Sequence, residues 1–576
     1  MLPLTIGTDL TTGQPVTLDP DLLRTHLHLL GATGSGKTVC IHTLLRPLLS
    51  TNRPKCCLFL VDPMGNLSQD LLKWMANERL CPPHVRERLV YIEPAREDVV
   101  LPFNPLVHDS DDHLYYQVGR AVEITLRAWA SQNIEEMPRL RQWCFNSFFA
   151  VAAMGLPLSA AQYLLHPGSP EHEAVLKRLP DRLKLVWSEI LASRGNERVR
   201  ILESTRNRLA PFFDSGILRR MFSSVESRFD VERFIRERRI VIVNVASYGR
   251  LDRHIGQTIG GLFVNEIIQR AMNLAPKEVD PTYLLLDEFQ HFVGPDLFDA
   301  LPIVRQVGLR MILAHQSFSQ LERGDIDLSG LIWQARSRLM FANDADDADR
   351  IAHELATLTY DPFKLKEELF TLRQRIAGHR KEWLKSFGKS STSSHATDIS
   401  ESESSGYRTG ESKDPTALRP TKSEGHDRSG SRGRSEKESL SDGQTEGSSE
   451  SLVPIHEDFY ETSSKSYYSF DDQRVTWAQK IRSKRTGAAF GKFKDDPQLY
   501  DIAIAHHPLG ETAATLAKVE ELKQKNFASE LFRSKDEVER ETETLRMGLL
   551  TNPQIIITTG KPRPMDQRPT GESLFR

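Results

Sequence analysis

The sequence has little cysteine, almost no net charge and no long apolar run, and each shortage excludes something. Its five cysteines (Cys40, Cys56, Cys57, Cys81 and Cys144) are odd in number, sit in apolar surroundings and show no metal-ligand spacing. That argues against a disulfide framework or a zinc site and for reduced, buried thiols, as expected in the cytoplasm. The formal net charge of −3 gives no overall attraction for a polyanion, so any nucleic-acid contact must come from local basic patches. No apolar stretch approaches the roughly 18 residues that would suggest a membrane-spanning helix, and no secretory signal is visible. At 576 residues the chain is too long for one compact domain and can bury a large core.

What is present is organised around Gly31-Ala32-Thr33-Gly34-Ser35-Gly36-Lys37-Thr38, a phosphate-binding loop of the G-x-x-x-x-G-K-[ST] type. Apolar Leu27, Leu29 and Leu30 precede it, and Val39, Ile41, Leu44, Leu45 and Leu48 follow at helical spacing, so the motif lies between a strand and a helix. The glycines let main-chain N–H groups curl round phosphate oxygens, and the helix N-terminus favours the anion. Lys37 can reach the β- and γ-phosphates of a nucleotide, and the Thr38 hydroxyl can ligate Mg²⁺. Gly31, Ala32, Thr33, Gly34, Ser35, Gly36, Lys37, Thr38 and Val39 are the candidate nucleotide-binding residues.

Short apolar strands at Cys56–Val61 and Leu89–Ile92 alternate with helical patterns, which predicts a mainly parallel α/β sheet. Residues 107–203 read as an all-α insertion, and the alternation resumes at Ile240–Val245. The first part of the core is then 1–106 and the second 204–387, closing with a charged helical segment at about 363–386. Residues 388–455 are rich in Ser, Gly and charge and nearly devoid of large apolar side chains, a composition that predicts disorder. Residues 456–510 carry a helix and two strands that could return to the core. A charged helical region and tail fill 511–576, with Leu531, Val538 and Leu545 seven residues apart, a spacing that permits a helix-partner seam.

Tyr283-Leu284-Leu285-Leu286-Asp287-Glu288 is an apolar strand ending in two acids. In that position Asp287 can hold Mg²⁺, and Glu288 can orient and polarise an attacking water. The adjacent glutamate favours hydrolysis of ATP by water over transfer to a small acceptor. The next strand ends Ala314-His315-Gln316-Ser317, and Gln316 can contact the γ-phosphate or the water.

Together these stretches resemble the HerA/FtsK branch of P-loop motor ATPases, and most of all the type IV secretion coupling proteins (TraG/TraD-like conjugative DNA transfer ATPases). The resemblance rests on Gly31–Thr38, Asp62-Pro63-Met64-Gly65, Asn104-Pro105-Leu106, Leu202–Phe212, Leu285–Gln290, Val304–Ser317 and Ala335–Phe341. It covers about 24–360 and returns weakly at about 466–505. It implies a RecA-like core with an inserted all-α domain, a homo-hexameric ring with ATP at subunit interfaces, and DNA drawn through the channel. It also implies that Gln316 senses the γ-phosphate and that Arg305 is an arginine finger reaching a neighbour's ATP, with Arg310 the local rival. Membrane-anchored coupling proteins carry transmembrane helices ahead of the ATPase, whereas here the loop starts at residue 31. The expectation is therefore a cytoplasmic protein that reaches the membrane only peripherally, through a partner.

The leading expectation is an ATP-hydrolysing DNA translocase that uses Lys37, Glu288, Gln316 and Arg305 in catalysis, and Thr38 and Asp287 for the metal. The alternatives are a HerA-like DNA repair or defence translocase, and an ATP-gated assembly protein that is not a motor; the expected partners are DNA, further copies of the chain and a secretion or nuclease partner. Two dense basic groups are candidates for contacting DNA: Arg194, Arg198, Arg200, Arg206 and Arg208, and the group running from Arg219 and Arg220 to Arg233, Arg236, Arg238 and Arg239.

Overall fold

A computed structural model of the chain describes residues 3–53, 55–107, 111–129, 138–193, 196–246, 251–292, 295–323, 326–327, 329, 333–390, 404–411, 422–429 and 443–551. They form two compact units, one of residues 1–360 with 469–576 and one of 361–468.

The first unit is built on an 11-stranded sheet. In chain order its strands are β1 (Leu4–Asp9), β2 (Pro15–Leu18), β3 (Leu27–Leu30), β4 (Cys57–Asp62), β5 (Leu89–Ile92) and β6 (Ile240–Asn244). They continue with β7 (Thr282–Leu286), β8 (Leu309–His315), β9 (Ser337–Met340), β10 (Ala488–Lys492) and β11 (Leu499–Ile504). Across the sheet the order is β2-β1-β11-β10-β9-β3-β8-β7-β4-β6-β5. From β9 to β5 all neighbours run parallel, and from β9 outward through β10, β11, β1 and β2 they run antiparallel. β4, β6, β7 and β8 are buried along their whole length, as continuous apolar strands covered on both faces must be. This is the expected α/β architecture with a mainly parallel sheet.

The main helices of this unit are α1 (Lys37–Ser50), α2 (Asn66–Ala76), α3 (Asp111–Trp129), α4 (Pro138–Ala153), α5 (Asn196–Asp214), α6 (Arg253–Met272), α7 (Pro295–Gln306), α8 (Ala345–Thr359), α9 (Phe470–Arg482), α10 (Ala513–Phe527) and α11 (Lys535–Thr551). Among the described residues no strand lies between Val100 and Ile240, so the stretch around α3 to α5 is helical. Phe103, at the entry to that stretch, stacks on Phe263 of α6 with centroids 4.7 Å apart and meets Phe229 at 5.5 Å.

The region 511–548 is not one helix. It breaks between α10 and α11, and Leu531 falls in the break, so the three seven-spaced residues do not form one seam. The break lets the chain cover two places. Asn526, at the end of α10, donates its side-chain amide to Tyr91 O at 2.7 Å and accepts from Tyr91 N at 2.8 Å. It thereby stands in for a neighbouring strand on the outer side of β5, the last strand of the sheet among the described residues. Further on, Arg533 meets Glu226 at 2.8 Å and Arg546 meets Glu171 at 2.7 Å. The tail beyond Thr551 lies outside the described residues.

The second unit holds a long antiparallel ribbon of Leu365–Ser390 with Gly443–Tyr467. The helix expected at 363–386 is therefore a strand. Its partner lies some 80 residues away, and the two match by charge: Arg373 meets Glu461 at 2.9 Å, Arg375 meets Glu457 at 3.1 Å and Lys381 meets Glu450 at 2.8 Å. No local periodicity reveals such cross-strand pairs. Of the 388–455 stretch, residues 391–403, 412–421 and 430–442 lie outside the described residues, and 404–411 pairs with 422–429.

Candidate nucleotide site

The phosphate loop connects β3 to α1, and its glycines answer to specific geometry. Gly36 has φ 111°, and a Cβ there would come within 2.9 Å of Gly487 Cα. At Gly31 a Cβ would lie 2.5 Å from Phe341 Cβ. Any side chain at either place would push the loop off the elements behind it. Gly487, in the turn before β10, donates its N–H to Ser35 O at 2.9 Å, so the chain's late strands brace the loop.

Lys37 is buried, and its ammonium donates to Gly31 O and, at 3.3 Å, to Ala32 O. Burial lowers its pKa, while Glu288 and Asp287 pull it back up. Asp287 and Glu288 leave the C-terminal end of β7, next to β8 and one strand removed from β3. Both are buried. Burial, then the charges of Asp62 and Glu288, push Asp287 up to about 7, against the opposing pull of Lys37. Asp62 ends β4 and caps the turn into α2, accepting from Met64 N at 3.0 Å, Gly65 N at 2.7 Å and Ser68 N at 2.7 Å.

Glu288 carries the densest contacts. Its Oε1 accepts from Gln316 Nε2 at 2.7 Å and its Oε2 from Gln290 Nε2 at 2.7 Å. Gln316 Oε1 in turn accepts from the Thr33 hydroxyl at 2.8 Å, which links the loop to both strand ends. Glu288 also sits at φ 46°, ψ 50°, a left-handed conformation that a non-glycine residue adopts at a cost of about 1–3 kcal/mol and that clusters at functional sites. Beneath the site, His28 of β3 and His315 of β8 share a hydrogen bond of 2.9 Å, both fully buried, and Phe289 packs edge-on against His315.

The structure thus brings together Gly31–Thr38, Asp287, Glu288 and Gln316. It does not bring Arg305 to them. Arg305 is exposed near the end of α7, in a cleft of about 600 Å³ lined by Asp21, Arg24, Lys277, Asp280 and Lys494. That cleft lies at the start of β8, whereas Gln316 follows its end, and a strand of seven residues spans ~20 Å. Arg305 therefore cannot serve the loop of its own chain. Asp62, Gln290 and Gly487 contribute to the site without having been singled out for a role by the sequence. The Asp-Pro-Met-Gly string hinted at the first, whereas the other two depend on contacts that only the fold creates.

The residues fit a nucleoside triphosphate with a divalent metal. The loop is shaped by positions where only glycine fits, the buried Ser35 hydroxyl has no hydrogen-bond partner among the described residues, and Lys37 falls back on main-chain carbonyls.

A phosphate loop between a parallel strand and a helix, with an Asp-Glu pair at the end of the strand two places along, defines a P-loop ATPase. Residues 1–69 match the FtsK/SpoIIIE family and residues 180–367 match the family described as Type IV secretory system Conjugative DNA transfer. Those two stretches, one carrying the phosphate loop and the other the Asp287-Glu288 strand, are thus similar to P-loop motor ATPases. Among solved structures, the bacterial conjugative coupling protein TrwBdeltaN70 in its unbound form aligns at 15% identity over 87% of this chain and 89% of that one, with a TM-score of 0.48. The plasmid coupling protein TrwB in complex with ADP and Mg²⁺ aligns at 14% identity over 89% and 92%, also with a TM-score of 0.48. No curated protein sequence matches the chain. Among the described residues no helix is long and apolar enough to cross a membrane.

Proposed function

We propose that the protein is an ATP-driven DNA translocase of the conjugative coupling type, working as a homo-hexameric ring. The observation that carries this reading is the division of the machinery between the two ends of β8. Gln316 joins Glu288 and the phosphate loop at one end, and Arg305 stands exposed at the other. In this reading a second copy supplies Arg305 to the site.

In this reading Lys37 engages the β- and γ-phosphates of ATP. Thr38 and Asp287 would hold Mg²⁺, which supplies charge neutralisation across the phosphate oxygens. Glu288 takes a proton from water as the water oxygen bonds to the γ-phosphorus. The bond from that phosphorus to the bridging oxygen breaks, ADP and phosphate leave, and Glu288 returns the proton to solvent. Gln316 reports the state of the γ-phosphate to β8, and Arg305 of a neighbour stabilises the charge on the transferred group.

For DNA, the group on α5 is the stronger candidate. Arg200 and Arg208 are exposed and carry no ion pair among the described residues, whereas Arg233, Arg236 and Arg239 are engaged with Glu237, Glu232 and Glu278. Arg194 lies outside the described residues.

The test is turnover and native mass. Wild type should hydrolyse ATP and sediment as a ring with nucleotide. Lys37→Ala should lose binding or turnover, and Glu288→Gln should bind ATP but turn over at least ~10²-fold more slowly. Wild-type turnover in Glu288→Gln would remove Glu288 from its role.

A further inference from the structure

The residue after next to Glu288 has no part in the reading above, yet it makes one of the shortest contacts in the site. Gln290 is buried, and its amide donates to Glu288 Oε2 at 2.7 Å. The other carboxylate oxygen, Oε1, is held by Gln316 at 2.7 Å, and Gln316 is itself held by the loop residue Thr33 at 2.8 Å. Both oxygens of the proposed base are thus engaged by side-chain amides, and the base itself rests on a strained left-handed backbone. The two amides differ in what they can do. Gln290 belongs to the short helical turn Phe289–His291 that directly follows Glu288, so it moves with the glutamate. Gln316 follows the end of another strand, β8, and is tied to the phosphate loop through Thr33.

We propose that Gln290 is a positioning residue for Glu288, a fixed anchor on Oε2, while Gln316 is an exchangeable guard on Oε1 that the γ-phosphate draws away. Freed by that exchange, Oε1 becomes the oxygen that accepts the water proton. The carboxylate keeps its direction because Oε2 never lets go of Gln290. Thr33 is what makes the release dependent on the loop: a phosphate entering the loop competes for the Thr33 hydroxyl and the Gln316 amide together. This inference rests on the ATPase reading and deepens it.

The experiment uses the full chain with Gln290→Met, which keeps the length of the side chain and removes the amide. Binding of a fluorescent, non-hydrolysable ATP analogue to the wild type comes first. No binding there sinks the ATPase reading, and this proposal with it. With binding intact, Gln290→Met should bind the analogue with wild-type affinity and keep KM within about threefold, while kcat falls about 10²-fold, the penalty of a misplaced catalytic group. Gln290→Asn keeps the amide but shortens its reach, and should show a smaller loss in the same direction. It also stands in should the methionine variant fail to fold. A wild-type kcat in either folded variant, or a fall in kcat matched by an equal loss of analogue affinity, would overturn the proposal. So would a lowered thermal midpoint accompanied by unchanged kinetics, which is the signature of a merely structural role.

Discussion

Arg310 lies 2.6 Å from Asp280 and is buried, while Arg305, five residues earlier in the chain, is exposed. Arg310 also donates to Pro20 O at 2.7 Å and to the Tyr283 hydroxyl at 3.0 Å, so every arm of its guanidinium is committed inside the chain. An arginine used in that way cannot reach a neighbouring subunit, which leaves Arg305 as the candidate finger on this part of the surface.

The two arginines should therefore fail differently. Arg310→Ala should lower stability by about 3 kcal/mol, because Asp280 loses its principal buried partner and keeps only the exposed Arg24. Arg305→Ala should leave the thermal midpoint unchanged and reduce turnover by roughly 10³-fold or more. Mixing Arg305→Ala with Lys37→Ala subunits should recover part of the activity, since some sites would pair an intact loop with an intact finger. No recovery in rings shown to contain both variants would remove Arg305 from that role.

Stability should fall in mild acid. Burial strips water from His26, His42 and His315 and pulls them down to about 4, about 4 and about 3. A histidine with a depressed pKa in the folded chain stays neutral there, while the unfolded chain takes up a proton below about 6.5. Its contribution is therefore intact above that pH and is lost as the pH drops toward the folded value, at ~1.4 kcal/mol per pH unit for each histidine. Urea midpoints at pH 7.5, 6.5 and 5.5 should show a flat region and then a steep decline. Among the described residues His42 makes no hydrogen bond through either ring nitrogen, Asp70 lying 3.8 Å away, so His42→Leu should fold and give a shallower decline. An identical slope would mean that this histidine is not buried in the neutral form.

Asn526→Leu tests the cover on β5. The substitution preserves size but removes both hydrogen bonds to the Tyr91 backbone, for a loss of about 1–3 kcal/mol. Hydrogen exchange at Tyr91 should quicken relative to the β4 amides. Unchanged exchange there would show that the α10 contact is incidental.

The unit at 361–468 should be dispensable for basal hydrolysis. Its two ends return to one place, with Tyr360 and Phe470 rings 5.7 Å apart in the other unit. Replacing it by a Gly/Ser linker of about five residues should leave kcat and the thermal midpoint near wild type, because short flexible closures cost little. A collapse of turnover would tie that unit to the nucleotide site.

The parts of this molecule that were legible in the sequence are those whose chemistry is written in consecutive residues. Gly31–Thr38 and Leu284–Glu288 carry their partners beside them, and the apolar runs of β4, β6, β7 and β8 announce a buried parallel sheet. What stayed hidden depends on contacts between distant residues. Nothing near Gln290 says that its amide will meet Glu288 on a left-handed turn, nothing near Gly487 says that it will brace Ser35, and Asn526 gives no sign of closing a sheet edge 435 residues away. The segment 363–386 looked helical for the same reason: its charges are satisfied by Glu450, Glu457 and Glu461 and not by neighbours three or four residues along.

The central claim is that ATP hydrolysis here is coupled to DNA, and the most direct measurement is steady-state ATP turnover with and without single- and double-stranded DNA across a salt series. Contacts made mainly to phosphates predict stimulation by at least one form of DNA, little dependence on its sequence, and a steep loss as salt rises from about 50 to 200 mM. Turnover that neither form of DNA changes at any salt concentration, in protein shown to form rings, would contradict the account and favour an ATP-gated assembly protein.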